Sequence, residues 1–134
     1  MSGDDGTVWY LRIQEEDLGT AVILRLEGRV YSATSGDLAR VLDRFCAGDS
    51  RGDSRGDRRA LVVDLSAVDY INGQGLSIIE GTATRLRSAH RELIVFGLCP
   101  VVGTAFDLSG AVGRVTVESS RETALRRAAG LNGS

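Results

Sequence analysis

The hydrophobic rhythm changes several times along the chain, and each change marks an element. Trp9, Leu11 and Ile13 alternate with Tyr10, Arg12 and Gln14, the two-residue period of a strand buried on one face. Glu15–Gly19 reads as a polar turn, after which Val22, Leu24 and Leu26 alternate with Ile23, Arg25 and Glu27. Two such segments joined by a short polar link predict a hairpin. Gly28–Ser35 reads as a loop. Thr34 with Asp37 three residues on resembles a capping box, and Leu38, Val41, Leu42, Phe45 and Cys46 then form one helical stripe. Gly48–Arg59 is a tandem Gly-Asp-Ser-Arg repeat with no apolar residue to bury, which predicts a mobile, solvated loop over 48–59. Its two Arg-Gly-Asp tripeptides arise from the repeat itself, so a solvated insertion is preferred to adhesion recognition.

Ala60-Leu61-Val62-Val63-Asp64-Leu65 is nearly continuous in apolar character, as expected of a strand covered on both faces. The turn Tyr70-Ile71-Asn72-Gly73-Gln74-Gly75-Leu76 follows. Leu76, Ile79, Ala83, Leu86 and His90 then recur at helical spacing. Asn72 suits an N-cap, because its side-chain oxygen can accept from an unpaired amide of the first turn. Gly73 and Gly75 remove side chains where strand becomes helix, placing unpaired amides and a positive dipole end at the mouth of the sheet. Gly81, inside that helix, costs about 1 kcal/mol relative to Ala, and a close backbone contact is the expected reason for it. His90 is assigned a capping or dipole role at the helix C-terminus.

Leu93–Leu98 is a second continuous apolar run, hence a second buried strand. Pro100 suits a helix start, and Val102, Ala105 and Phe106 supply its apolar positions. Val115 and Val117 flank Thr116 in a last strand nearer the sheet edge. Ser119 with Glu122 reads as a capping box opening a helix that carries Ala124, Leu125 and Ala128 and closes at Gly130. Residues 1–7 read as a disordered tail and 131–134 as a frayed one. The order β-β-α-β-α-β-α-β-α predicts a single α/β domain over 8–130, with a mixed, mainly parallel sheet and right-handed crossovers.

Composition narrows the function. At 134 residues, with 43% apolar and 25% charged content, the chain is an ordinary globular domain large enough for a real core. No apolar run approaches a membrane span, and Met1–Gly6 is polar and acidic rather than a signal peptide; a cytoplasmic protein off the membrane is expected. The net charge of −2 argues against general nucleic-acid binding. Every basic residue is Arg, so a P-loop lysine, a Schiff-base lysine and a Ser–Lys dyad are excluded. One His cannot build a multi-His metal site. No cofactor or metal is expected, and the chain does not read as an enzyme. Asp64 and Asp69 near the strand end are a candidate carboxylate pair, and Gly-x-Gly at a helix start is a weak phosphate signal. Cys46 and Cys99 read as reduced thiols in or near the core, with a spacing that does not call for a disulfide.

The run Val63-Asp64-Leu65-Ser66, then Val68, the turn, Gly75-Leu76 and Gly81 resembles the signature of STAS domains, the anti-sigma factor antagonists. The likeness covers about residues 8–130 and implies the STAS fold, with an N-terminal hairpin and about four helices. Val102, Ala105, Phe106 and Leu108-Ser109-Gly110 resemble the family's short third helix. In the family the turn usually reads Asp-Ser-Ser/Thr-Gly-Leu, and its first Ser is phosphorylated by a kinase that doubles as the anti-sigma factor. Here the turn holds Asn72, Gly73, Gln74, Gly75 and Leu76, so Gly73 is a degenerate phosphosite without a hydroxyl. Gly28, Val30 and Thr34 fit the segment after the second strand, where Tyr31 replaces the family's usual Asp. The resemblance implies a partner-binding surface of Asn72, Gly73, Gln74, Gly75, Leu76 and Ser77 with Tyr31 and Ser32. The implied partner is an anti-sigma factor and serine kinase of the histidine-kinase-like ATPase type, which gives up a sigma factor on docking. A second implied role is a scaffold subunit assembling with other STAS proteins. Ser77, four residues after Gly73, weighs more as a helix-surface serine than as a displaced phosphosite.

Overall fold

The computed structural model describes residues 10–19, 21–46 and 60–133. Its elements are β1 (Leu11–Asp17), β2 (Ala21–Val30), α1 (Ser32–Cys46), β3 (Ala60–Ile71), α2 (Gly73–Ser88), β4 (Leu93–Phe96), α3 (Pro100–Ser109), a 3-10 turn at Ala111–Gly113, β5 (Thr116–Glu118) and α4 (Arg121–Gly133). The five strands lie in the order β1-β2-β3-β4-β5. β1 runs antiparallel to β2, and every other pairing is parallel. The predicted hairpin and mainly parallel sheet are therefore both present. The tail at 1–7 and the repeat loop at 48–59 lie outside the described residues.

Strand parity separates two cores. Val22, Leu24 and Leu26 of β2 and Leu61, Val63 and Leu65 of β3 face α1, α2 and α3, meeting Leu38, Leu42, Ile79, Leu86 and Phe106. The intervening positions Ala21, Ile23, Ala60 and Val62, with Ile94 and Phe96, face α4 through Ala124 and Ala128. Two-sided burial is why β3 and β4 read as unbroken apolar runs. Burying each such Leu, Ile, Val or Phe contributes about 1.5–3 kcal/mol, so the fold rests on these strands.

Several boundaries differ from the sequence reading, each for a local reason. Glu15–Asp17 continue β1 instead of turning, because they pair with Leu24, Ile23 and Val22. Gly28–Ser35 is not a loop: β2 runs to Val30 and α1 begins at Ser32, leaving Tyr31 as the only connecting residue. Thr34 is therefore not the N-cap. From the first turn of α1 its Oγ1 accepts from Tyr31 N (3.0 Å) and donates to Arg29 O (2.8 Å). Asp37 pairs with Arg40. β3 continues six residues past Leu65, through a register shift against β2 that interrupts the alternation. β4 stops at Phe96 because Gly97 turns left-handed (φ 82°), where an added Cβ would lie 2.8 Å from Ser66 N.

His90 does not belong to the stripe of α2. It sits beyond the helix at φ 62°, exposed, where Arg91 N folds back onto Leu86 O (2.8 Å). That wrap requires a left-handed residue. It also buries Arg91, whose Nη1 donates to Phe45 O (2.6 Å) near the C-terminus of α1. Gly81 has no close neighbour: an added Cβ meets nothing within 4 Å. The cap of α4 is Ser120 with Thr123, not Ser119 with Glu122. Ser120 Oγ accepts Thr123 N (3.2 Å), and Thr123 Oγ1 accepts Ser120 N (3.1 Å). Gly130 does not end α4, which continues to Gly133.

Candidate functional site

The turn between β3 and α2 stands at the C-terminal end of the parallel strands, where β2 and β3 finish side by side with Val30 against Ile71. Asn72 N donates to Val30 O (3.0 Å), which ties the turn to β2 as well as β3. Asn72 has extended backbone angles, and its Oδ1 accepts from Gly75 N (2.9 Å), the predicted N-cap bond. Gly75 is buried, and an added Cβ would stand 2.4 Å from Val30 Cγ1 and 3.0 Å from Ile71 Cγ1. Only a glycine lets the first turn of α2 seat this closely on both strand ends. Gly73 is the opposite case, exposed and with nothing within 4 Å of an added Cβ.

The eight residues of the expected partner surface separate into two groups. Gly73, Gln74, Ser77 and Ser32 are exposed, while Asn72 and Tyr31 are half-buried. Gly75 and Leu76 are buried, and Leu76, 5% exposed, belongs to the core beneath the turn. Their contribution is to hold the turn in place rather than to present side chains. Tyr31 and Ser32 come from the start of α1 and meet Asn72 across a concavity of about 550 Å³. Its other lining residues are Arg29, Asp69 and Tyr70; the sequence reading weighed Asp69 only as a carboxylate partner of Asp64, placed Tyr70 at the start of the turn, and did not single out Arg29. Arg29 Nε donates to Asp69 Oδ1 at 3.2 Å, linking the ends of β2 and β3, and Tyr70 is 41% exposed. Among the described residues the rim pairs one cation with one anion; the other lining groups are phenols, a hydroxyl and an amide. These groups offer hydrogen bonds and aromatic contact rather than net charge.

The carboxylates do not form an acid–base pair. Asp64 is buried and its Oδ1 accepts from Ser66 N (2.9 Å) and Ser66 Oγ (2.6 Å), whereas Asp69 is engaged by Arg29. Both cysteines are free thiols. Cys99 precedes α3, and its Sγ donates to Val68 O (3.5 Å). Cys46 closes α1; burial pushes its thiol above the ordinary value, with Arg85 and Arg91 pulling the other way. Among the described residues no His, Cys, Asp and Glu side chains group as a metal site, and no helix is long and apolar enough to cross a membrane.

Known proteins share this fold. The STAS domain family model matches residues 12–124. BtrV of Bordetella bronchiseptica, named for anti-sigma factor antagonism, is 31% identical over 118 residues, covering 85% of this chain and 91% of the relative. The crystal structure of an anti-sigma factor antagonist from Mycobacterium paratuberculosis superposes with a TM-score of 0.75 at 21% identity, over 88% of this chain and 93% of that one. A Thermotoga maritima structure named for the same role gives 0.70 at 14% identity, over 87% and 93% of the two chains. The two structures share the fold, while the family match runs from β1 through the turn into α4. The chain belongs to the STAS domain family.

Proposed function

We propose that the chain is a cytoplasmic, non-catalytic anti-sigma factor antagonist. It docks on an anti-sigma factor of the histidine-kinase-like ATPase type, a serine kinase, and so frees a sigma factor. One observation carries the reading: Asn72, the exposed turn after it, and Tyr31 with Ser32 gather at one end of the sheet, in a chain 31% identical to a relative named for this role. Phosphoryl transfer needs a hydroxyl, and Gly73 has none. The chain is therefore not switched off at this position; it stays competent to bind, under control of abundance, oxidation or a rival partner. The second reading is a STAS scaffold that assembles with other STAS proteins, favoured by the simultaneous presence of Tyr31 and Gly73 where the family usually has an acid and a serine.

The test is capture with the tagged full chain from lysate of its own cells, read by mass spectrometry. Recovery of a histidine-kinase-like anti-sigma factor with an unmodified 70–77 peptide supports the antagonist. Recovery of STAS proteins alone supports the scaffold. Phosphate on residues 70–77 after incubation with the captured kinase and ATP overturns the loss of the switch.

A further inference from the structure

We propose that two copies of this chain pair through the outer edge of β1, in one antiparallel register centred on Gln14, making a continuous two-chain sheet. β1 is an edge strand, and its close packing is with β2. Its hydrogen-bond parity is fixed at both ends. Arg29 N donates to Tyr10 O (2.9 Å) and Leu18 N donates to Ala21 O (2.9 Å). Even-numbered residues therefore turn their main-chain groups toward β2, and Leu11, Ile13 and Glu15 turn theirs outward. An antiparallel partner strand completes these outward groups.

The side chains select the register. In a two-fold pairing perpendicular to the sheet, opposed residues share a face, so the axis must pass through a residue. An axis through Gln14 sets Arg12 of each copy opposite Glu16 of the other. It also makes Ile13 and Glu15 the pair that exchanges main-chain bonds, as the outward parity demands. Arg12 and Glu16 then form non-hydrogen-bonded pairs, the kind in which side chains approach most closely. An axis through Glu15 would oppose two carboxylates, and one through Ile13 would set Arg12 against Gln14. Charged edge residues ordinarily discourage such pairing. Here the acidic run is partly answered within the chain, Glu15 by Arg44 and Glu16 by Arg121, each at 3.5 Å. Arg12, its side chain 59% exposed, lies 3.6 Å from Glu27 on β2 and 5.8 Å from the Tyr10 ring centroid, and pairing with Glu16 of the other copy requires it only to swing from the inner to the outer side of β1.

Sedimentation of the purified full chain over a range of concentrations tests this, with circular dichroism to confirm folding of each variant. A monomer–dimer equilibrium is expected. Arg12→Glu, or Glu16→Arg, turns two favourable cross-strand pairs into two unfavourable ones and raises the dissociation constant about tenfold. The double reversal Arg12→Glu/Glu16→Arg restores dimerisation. Glu15→Pro removes an outward amide that the β2 ladder does not use, and gives a folded monomer. A wild-type chain that stays monomeric throughout, or a dimer indifferent to both Arg12→Glu and Glu15→Pro, overturns the proposal.

Discussion

Two glycines of α2, six residues apart, should respond in opposite directions to the same substitution. At Gly81 the added methyl meets nothing within 4 Å, and the residue is exposed in the middle of a helix. Gly81→Ala therefore recovers the full propensity difference, about 1 kcal/mol of added stability. At Gly75 the methyl would lie 2.4 Å from Cγ1 of Val30 and 3.0 Å from Cγ1 of Ile71, which are 0% and 4% exposed. Both neighbours are β-branched and enclosed, so they cannot swing aside, and overpacking of this kind costs about 1–3 kcal/mol. The two variants should thus differ by about 2–4 kcal/mol, the sum of a gain and a loss. Urea unfolding at room temperature reads both, provided the slope m is unchanged. A Gly81→Ala chain no more stable than wild type would refute the reasoning, since something must then approach Gly81 that the fold does not place there.

Gly73→Ser should fold like the natural chain, because the space around Gly73 is open, and should accept phosphate from the partner kinase and ATP where the natural chain does not. A variant left unmodified by the kinase that binds it would sink the alignment of Gly73 with the family's phosphosite. Asn72→Ala loses the bond to Gly75 N and should cost about 1 kcal/mol in the same urea assay; a neutral result would mean the cap adds nothing beyond the tertiary contacts of the turn. Burial raises the Cys46 thiol above its unfolded value of 9.0, so the unfolded chain sheds that proton first and stability falls as pH rises past about 9. Cys46→Ser should flatten that part of a stability–pH curve, and an unchanged slope would place the decline elsewhere.

Elements with a single strong period were the legible ones. β3 and β4 announced two-sided burial by unbroken apolar runs, and α2 showed its stripe together with its Asn72 cap. Connections were harder to read. Tyr31 joins β2 to α1 alone, and Thr34 bonds backward from inside the helix, so a residue that looks like a cap lies past it. β3 kept going after Leu65 because pairing with β2 resumes beyond the register shift, information held by the neighbouring strand. At the site, the turn was visible from its glycines and amide. The Arg29–Asp69 link was not, since forty residues separate partners that only the β2–β3 pairing brings together. Gly81 misled because a glycine in a helix suggests a close approach, and at this position the close approach belongs to Gly75.

The division of the core has a consequence for how the molecule opens. Among the described residues, three helices share one face of the sheet while α4 covers the other, and the side chains of α4 described as buried are Ala124 and Ala128, with Leu125 partly buried. Much of its hold is ionic: Arg127 grips Glu92 at 3.1–3.2 Å and reaches Glu118 at 3.8 Å, while Arg121 meets Glu16 at 3.5 Å. Small side chains give little hydrophobic attachment, and exposed ion pairs weaken as salt rises. α4 should accordingly detach below the global unfolding threshold, with its amides exchanging with solvent sooner than those of β2 and β3. Each detachment uncovers Ile23, Val62, Ile94 and Phe96 together, a sticky strip on an otherwise intact sheet. The fold thus carries a salt-sensitive aggregation hazard on the side away from its candidate docking surface.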